Sequence, residues 1–227
     1  MLQSKKSTFK TYSFDSLRLF RLNCSMTNKN AFKTFMLLML VGNFAQAYFN
    51  FTLVKNTALK NGIPPGQADR LLNYIRNNEN NLRNKNYVTF VDFRQPSSKK
   101  RGLMINANNG SAYSFLVAHG INSGAKLYAS TFSNIIDSKQ SSLGIYRIEN
   151  DYYGTFGHSL RVEGLERTNS NAKNRAIVIH PYSSVSEETI QNIGMIGTTY
   201  GCFGLNPEVS NYMVPLLKNG SLLLAFY

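Results

Sequence analysis

The chain has 227 residues, of which 43% are hydrophobic and 12% aromatic, enough for the core of one large domain or two small ones. It has no tryptophan, so that core must be built from phenylalanine, tyrosine and aliphatic side chains. The formal charge is +13, and scattered basic residues of this kind suit either nucleic acid or an anionic cell envelope. No GxGxxG, P-loop or zinc-ribbon spacing occurs, which excludes the classes that depend on those motifs.

Residues 26–47 contain the three parts of a secretory signal peptide. A cationic start with Lys29 and Lys33 precedes the apolar run TFMLLMLVGNF, and Ala45-Gln46-Ala47 is a small-x-small cleavage site. The apolar run is too short to span a bilayer. We therefore predict an upstream extension over 1–25, a signal peptide over 26–47, and a mature protein without a membrane span in the periplasm or cell envelope. An uncleaved amphipathic anchor is the alternative.

The two cysteines are separated by this signal. Cys24 lies ahead of it and would be lost on cleavage, so Cys202 would be the single thiol of the mature chain. An unpaired thiol in an oxidising compartment is typical of a reactive group, and a chance buried cysteine is the alternative.

The periodicity of apolar residues changes at Tyr87. Before it, apolar residues recur at helical spacing within Gln67–Asn80, which predicts an N-terminal helical segment over 48–86. After it, alternation with period two predicts a β-rich domain over 87–227. Two successive hairpins favour a mainly antiparallel sheet in an α+β fold, mainly β with a few helices. The predicted strands are 87–93, 102–106, 112–119, 143–148, 159–165, 176–180 and 221–226.

Three connections between these strands have their own predictions. Lys99, Lys100 and Arg101 indicate a basic hairpin tip in solvent. The segment 120–142 is too long for a plain connection, and we predict that it lines a substrate groove. A short helix within 183–192 and a second one that begins at Asn206-Pro207 complete the chain.

Cys202 and the histidines are the residue types that can carry chemistry. The apolar strand 176–179 ends at His180, and Cys202 follows Gly201, which supplies a thiol nucleophile and its base. Glycine allows a substrate to approach the backbone, whose N–H groups can hold an oxyanion, and Tyr200 adds a hydroxyl or a stacking wall. We predict no metal, because no pair among His119, His158, His180 and Cys202 has short ligand spacing; a zinc site is the alternative.

The stretch Thr199-Tyr200-Gly201-Cys202-Phe203-Gly204-Leu205 resembles the active-site line Ser-x-Gly-Cys-Pro-Ala-Leu of the murein L,D-transpeptidase catalytic-domain family. The resemblance extends in the same order over about residues 55–227. The matching segments are Phe90–Phe93, Val117–Gly120, Phe132–Asn134, Ser141–Gly144, Ser159–Arg161, Gly164–Glu166 and Arg175–His180.

The resemblance implies an L,D-transpeptidase-like β-sandwich or barrel with an N-terminal helix. It implies that Cys202 is the nucleophile, that His180 is its base, and that Gly201 and Cys202 supply backbone N–H groups to the oxyanion. Thr199 retains the hydroxyl of the family's serine. The match assigns His119, Ser141 and Ser142 to substrate binding.

The function implied is a cysteine L,D-transpeptidase that acts on peptidoglycan stem peptides. The thiol would expel D-alanine and form a thioester, which an amine then resolves. Water in place of the amine would make the protein an L,D-carboxypeptidase. Pro181 and Phe203 depart from the family pattern, which leaves a non-catalytic peptidoglycan-binding module as the other alternative. We expect a monomer without a cofactor and without a nucleic-acid partner.

Overall fold

The structure is a computed structural model that describes residues 49–227; the predicted extension and signal peptide lie outside the described residues. In this range no helix combines the length and apolar character needed to cross a membrane. The helices are α1 Phe51–Lys60, α2 Pro65–Asn77, α3 Glu187–Ile193 and α4 Pro207–Leu217. The strands are β1 Tyr87–Asp92, β2 Gly102–Asn106, β3 Ala112–Phe115, β4 Gly144–Gly154, β5 Gly157–Gly164, β6 Val178–Pro181, β7 Phe203–Leu205 and β8 Leu222–Phe226.

Polar caps fix the helix ends that the sequence indicates. The Asn50 side chain accepts a hydrogen bond from the Leu53 N–H at 2.9 Å at the start of α1. Asn206 does the same for Glu208 at 2.9 Å, with Pro207 as the first residue of α4. α4 continues through Pro215 and ends at Leu217.

The described strands form one sheet in the order β3-β2-β1-β8-β4-β5-β6-β7. Five of its neighbouring pairs are antiparallel, while β1–β8 and β6–β7 are parallel. The mainly β, α+β fold class is therefore confirmed. Strand β8, the last strand in the chain, lies inside the sheet between β1 and β4.

The sheet curls until its two ends nearly meet. The residues after β3 contact β7, where the Ala118 N–H donates to the Gly204 carbonyl at 2.9 Å. At the next residue, the His119 carbonyl accepts a hydrogen bond from the Thr199 N–H at 2.9 Å, beside a parallel bridge between Gly120 and Thr199. The third strand was predicted to run to His119; its regular part ends at Phe115, and the remainder supplies these closing contacts. The result is a barrel-like sheet.

Two apolar layers stabilise the sheet. The inner layer fills the curl with residues such as Phe93, Tyr146, Phe203 and Val214. The outer layer lies under α1 and α2, where residues such as Leu71 pack on the outer face of β1, β2 and β8. Burial of this apolar surface is the main force that holds the predicted helical segment 48–86 on the sheet.

Candidate active site

His180 lies on β6, and Cys202 immediately precedes β7, the parallel neighbour of β6. The register of β6 and β7 pairs Ile179 with Phe203 and His180 with Gly204, so Val178 is opposite Cys202 one residue earlier. Side chains alternate between the faces of a strand, and the Phe203 side chain belongs to the inner core. His180 follows Ile179 of the inner core and therefore points to the outer face, while Cys202, one residue before β7, also packs against the inner core.

The Cys202 thiol is partly buried at the start of β7. Its Sγ donates to the Ala176 carbonyl at 3.6 Å. Burial raises the pKa of the thiol above its ordinary value, while the Val178 backbone N–H and the Arg175 guanidinium act in the opposite direction. The resting sulfur is therefore a protonated thiol at neutral pH.

The His180 imidazole is 3% exposed, and its Nδ1 lies 2.9 Å from the Pro181 carbonyl oxygen. A carbonyl only accepts, so Nδ1 carries the proton and Nε2 has a free lone pair. Burial lowers the pKa of His180, which keeps the ring neutral. The Phe156 ring stacks on it at 4.3 Å between centroids. The arrangement is that of a neutral base with a fixed tautomer.

Backbone geometry fixes the turn before Cys202. Gly201 has φ 112°, and a Cβ there would lie 2.7 Å from the Gln140 carbonyl oxygen. The Thr199 hydroxyl donates to the Cys202 carbonyl at 2.8 Å and accepts from the Gly201 N–H at 3.2 Å. The predicted oxyanion donor at Gly201 is thus engaged by Thr199 in the structure. Tyr200 is 68% exposed, with the Lys139 ammonium 4.8 Å from its ring centroid.

His119 is 1% exposed and forms a buried pair with Arg101. The guanidinium donates to His119 Nδ1 at 2.7 Å and to the Val117 carbonyl at 2.9 Å. Burial, reinforced by the Arg101 charge, lowers the pKa of His119 to about 4, and burial lowers that of Arg101 to about 9. The sequence prediction that Arg101 lies in a solvated turn was wrong, because this side chain is 3% exposed.

Ser141 and Ser142 are also buried, each 1% exposed. The Ser141 hydroxyl accepts from the Gly120 N–H at 2.9 Å, and the Ser142 hydroxyl lies 2.6 Å from that of Tyr146. Both serines, like His119, thus make internal hydrogen bonds. Their contact with a substrate stays a prediction.

Arg175 is a site residue whose own role was not predicted from the sequence. It donates to the Ser133 carbonyl at 2.7 Å, to the Ser142 hydroxyl at 3.2 Å and to the Gln140 carbonyl. Its charge acts on Cys202, as the thiol pKa reflects. One side chain thereby connects the loop 120–142 to the surroundings of the thiol. The signal in the sequence was its place at the start of Arg175–His180, one of the segments that resemble the family.

His158 lies in a separate cluster near the tip of the β4–β5 hairpin. Its Nε2 is 2.8 Å from Asp151 Oδ2, and its ring stacks on Tyr153 at 4.5 Å. Lys218 donates to the same carboxylate at 3.1 Å. Among residues 49–227, no three His, Cys, Asp or Glu side chains converge on a point where a metal could bind.

A groove of about 490 Å³ opens beside Cys202. Its walls come from the β4–β5 hairpin, from β5 and from the segment before β6, and they include Tyr152, Phe156, Arg161, Lys173 and Val178. None of its lining residues comes from 120–142, so the prediction that this loop lines the groove was wrong for this groove. The loop instead reaches the site through Gln140, which contacts Gly201.

Comparison with known proteins supplies the family. Residues 61–226 match the family described as "L,D-transpeptidase catalytic domain". Among solved structures, an L,D-transpeptidase from Mycobacterium smegmatis is 10% identical, with 63% of this chain and 59% of that chain covered and a TM-score of 0.37. One from Stackebrandtia nassauensis is 14% identical, with 77% and 76% covered and a TM-score of 0.38.

L,D-transpeptidase 3 from Mycobacterium tuberculosis, in complex with a faropenem-derived adduct, is 7% identical, with 63% and 60% covered and a TM-score of 0.41. The chain thus spans about three fifths of the length of the M. smegmatis protein, which it covers to 59%. A search of curated proteins finds no match. Because the family match covers most of its length, the chain belongs to the L,D-transpeptidase catalytic-domain family.

Proposed function

We propose that this protein is a cysteine L,D-transpeptidase that acts on peptidoglycan stem peptides through a thioester on Cys202. The observation that supports the proposal is the register of β6 and β7, which pairs His180 with Gly204, two residues after Cys202. The groove of about 490 Å³ beside the thiol offers room for a peptide. Membership of the family supports acyl transfer as the reaction.

In the proposed reaction His180 Nε2 takes the proton of the Cys202 thiol as the sulfur attacks the carbonyl of an L,D peptide bond. A carbon–sulfur bond forms, and the carbonyl oxygen becomes an oxyanion. Collapse breaks the carbon–nitrogen bond, and the imidazolium returns the proton to the departing amine of D-alanine. An amine of a neighbouring stem then attacks the thioester, loses a proton to His180 and releases the thiol.

The resting site holds two neutral groups rather than an ion pair. Burial raises the pKa of Cys202 and lowers that of His180, so a thiolate–imidazolium pair is disfavoured before the substrate arrives. Proton transfer would therefore accompany attack. The Nδ1–H bond to the Pro181 carbonyl supports this role, because it stabilises the imidazolium that forms.

The oxyanion would lie against the backbone N–H groups of Gly201 and Cys202. In the unliganded protein the Gly201 N–H is held by the Thr199 hydroxyl at 3.2 Å, a long hydrogen bond. We infer that the oxyanion replaces this hydroxyl, and that Thr199 then holds the turn through its 2.8 Å bond to the Cys202 carbonyl.

The place of action we propose is the periplasm or cell envelope. Peptidoglycan stems carry free carboxylates, and residues 48–227, with 18 Lys and Arg against 11 Asp and Glu, have a formal charge of +7 that attracts such a polymer. The predicted signal peptide over 26–47 provides the route of export. We propose a monomer, with stem peptides rather than nucleic acid as partners.

One observation favours a non-catalytic peptidoglycan-binding module. Within the described residues, the Cys202 thiol donates its hydrogen bond to the Ala176 carbonyl and not to an imidazole. Burial raises the pKa of this thiol and so keeps it protonated. A protein that merely retains the fold would also show this. Hydrolysis to an L,D-carboxypeptidase product differs only in the acceptor.

The test incubates the full chain with purified muropeptides that end in L,D-linked D-alanine. We expect released D-alanine, a thioester adduct that peptide mapping assigns to Cys202, and cross-linked or hydrolysed products that separate transfer from hydrolysis. Cys202→Ala should abolish both adduct and turnover. His180→Ala should keep the thiol but slow acylation by about two to four orders of magnitude, the usual contribution of a positioned base.

His158→Ala is the matched control, since this histidine is bound to Asp151 near the tip of the β4–β5 hairpin. It should acylate at nearly the wild-type rate. Turnover by Cys202→Ala would sink the mechanism, and wild-type acylation by His180→Ala would move the base elsewhere. A folded wild-type chain that binds muropeptides without any adduct would establish the binding module instead.

A further inference from the structure

We propose that a second cavity, distinct from the groove beside Cys202, binds a phosphate group carried on a sugar. This cavity of about 400 Å³ lies where Arg83, the middle of β4 and the turn before β8 meet. Strands β4, β5 and β6 separate β8 from β7 in the sheet, and Cys202 is not among the lining residues. The cavity and the groove share only Glu149 and Arg161. The inference therefore goes beyond the proposed reaction and does not depend on it.

A β-bulge in β4 forms one wall of the cavity. The pairing of β4 with β5 shifts its register between Ile148 and Asp151. Two residues, Glu149 and Asn150, therefore oppose one residue, Arg161. All three line the cavity. A bulge changes the direction of the side chains that it contains, and bulges are common next to functional sites.

Hydrogen bonds hold the other walls in place without a ligand. Asn219 and Gly220, in the turn before β8, have left-handed φ values of 67° and 111°. Their N–H groups donate to the carbonyls of Glu149 at 3.1 Å and Ile148 at 2.7 Å. The Asn84 side chain fixes the segment before β1, because it donates to two carbonyls at the end of α4 at 2.9 and 2.8 Å. The cavity is thus preformed, which lowers the entropy cost of binding.

Arg83 and Arg161 give the cavity two positive charges without an acidic partner among residues 49–227. The other charged lining residues are paired, Arg147 with a glutamate and Glu149 with a lysine at 3.0 Å. The Arg161 Cζ lies 4.3 Å from the centroid of the Tyr152 ring, a contact that leaves the N–H edge free. Guanidiniums bind phosphate through paired hydrogen bonds, and two of them match the double charge of a phosphate monoester.

Three carboxamides provide the rest of the polar lining. They belong to Asn81, Asn150 and Asn219, which are all exposed. A carboxamide donates and accepts hydrogen bonds, and so does each hydroxyl group of a sugar. A volume of about 400 Å³ is much larger than one phosphate group and falls within the range of small-molecule sites. The asparagines therefore suit the sugar, and the arginines suit its phosphate.

The test measures by calorimetry how the full chain binds glucose 6-phosphate, inorganic phosphate, glucuronate and glucose. It is done at a pH of about 8, where a phosphate monoester carries two negative charges. We expect glucose 6-phosphate to bind about tenfold more tightly than any of the other three, because only this probe has both the double charge and the sugar hydroxyls. Arg83→Gln should weaken its binding about tenfold, and Arg83→Lys should restore part of the loss.

Two further variants separate the parts of the site. Asn150→Ala should weaken the binding of glucose 6-phosphate and leave that of inorganic phosphate unchanged, because it removes a contact to the sugar alone. Arg76→Gln is the control, since it removes a positive charge from α2 outside the cavity lining and should leave the affinity unchanged.

Three results would each overturn the proposal. Inorganic phosphate that binds as tightly as glucose 6-phosphate would indicate a site for the free anion only. Glucuronate that binds as tightly would show that the double charge is not recognised. An equal loss in Arg83→Gln and Arg76→Gln would reduce the effect to the overall charge of the protein. Failure of acyl transfer would sink the proposed function separately, since calorimetry with these probes requires no turnover.

Discussion

The sheet has one inner core but two different outer faces. On β1 and β8 the outer face carries apolar side chains such as Phe90 and Leu224, covered by α1 and α2. On β5 and β6 it carries Arg161, which lines the groove beside Cys202, and His180, which stacks on the groove residue Phe156. The strands of the first region are buried on both faces, whereas β5 alternates between buried and exposed residues.

This difference separates stability from chemistry within one sheet. The covered face removes a large apolar area from water and contributes to the free energy of folding. The open face carries groups whose pKa values are shifted by partial burial, including Cys202 and His180, and such groups are typical of functional sites. Substitutions in the two regions should therefore affect different measurements.

Phe90→Ala should give the largest change in stability. Phe90 is 0% exposed, between Leu103 of β2 and Leu224 of β8 in the register. Truncation of a buried phenylalanine costs about 3–5 kcal/mol, because it removes apolar contacts and leaves a cavity. Urea unfolding measures the loss of stability. The rate at which iodoacetamide alkylates Cys202 in a Cys24→Ser background measures the reactivity of the site.

The alkylation rate of the folded Phe90→Ala protein should equal that of the parent. If Phe90→Ala does not accumulate as folded protein, Phe90→Leu takes its place. We expect a smaller loss of stability for this variant and the same alkylation rate as for the parent. A thiol whose reactivity falls with either variant would show that the two regions are coupled, contrary to the comparison.

Gly201→Ala should produce a smaller loss of stability and a large loss of reactivity. Left-handed φ strains an alanine by about 1–3 kcal/mol, and its Cβ would lie 2.7 Å from the Gln140 carbonyl oxygen. The turn must shift to relieve this contact, and the shift would move the neighbouring Cys202. We expect slow acylation in a protein that still unfolds cooperatively.

Gly66→Ala is the matched control, because a Cβ at this position in α2 meets nothing within 4 Å. It should leave the acylation rate unchanged and the stability equal or slightly higher, since alanine has the higher helix propensity. Wild-type acylation by Gly201→Ala would mean that the turn geometry does not position the thiol.

The sequence predicted the covered region well because its signal is local. Runs such as Leu222–Phe226 are apolar throughout, and the helical spacing that predicts α2 needs no knowledge of distant residues. The bounds of α2 differ by only a few residues from the predicted 67–80. The central place of β8 was not predictable, because parallel pairing with β1 joins residues more than a hundred positions apart.

The open region depends on contacts that no local pattern contains. Strand β7 has three residues, Phe203–Leu205, too few to show a period. Arg101 follows two lysines, and nothing nearby in the sequence shows that it is the basic side chain of the three that is buried against His119. His180 and Cys202 were predicted from a strand end and a glycine, and their role in catalysis stays a prediction.

Arg175→Gln should give the smallest effect, and it sharpens the electrostatic side of the comparison. A cation near the thiol stabilises the thiolate, so the Arg175 charge lowers the pKa of Cys202, although burial raises that pKa overall. Alkylation requires the thiolate, so its rate rises with pH. Without the charge, this rise should move to higher pH and leave a severalfold slower rate at neutral pH.

The measurement is a pH–rate profile for iodoacetamide in the Cys24→Ser background, with two further variants. Arg175→Lys keeps the charge but replaces the fork that donates to the Ser133 and Gln140 carbonyls. A profile near the wild-type one would assign the effect to charge, whereas a shift as large as that of the glutamine variant would assign it to the loop. Arg147→Gln, which removes a cation paired with Glu163, should leave the profile unchanged. Coincidence of the Arg175→Gln and wild-type profiles would refute an electrostatic role for Arg175 at the thiol.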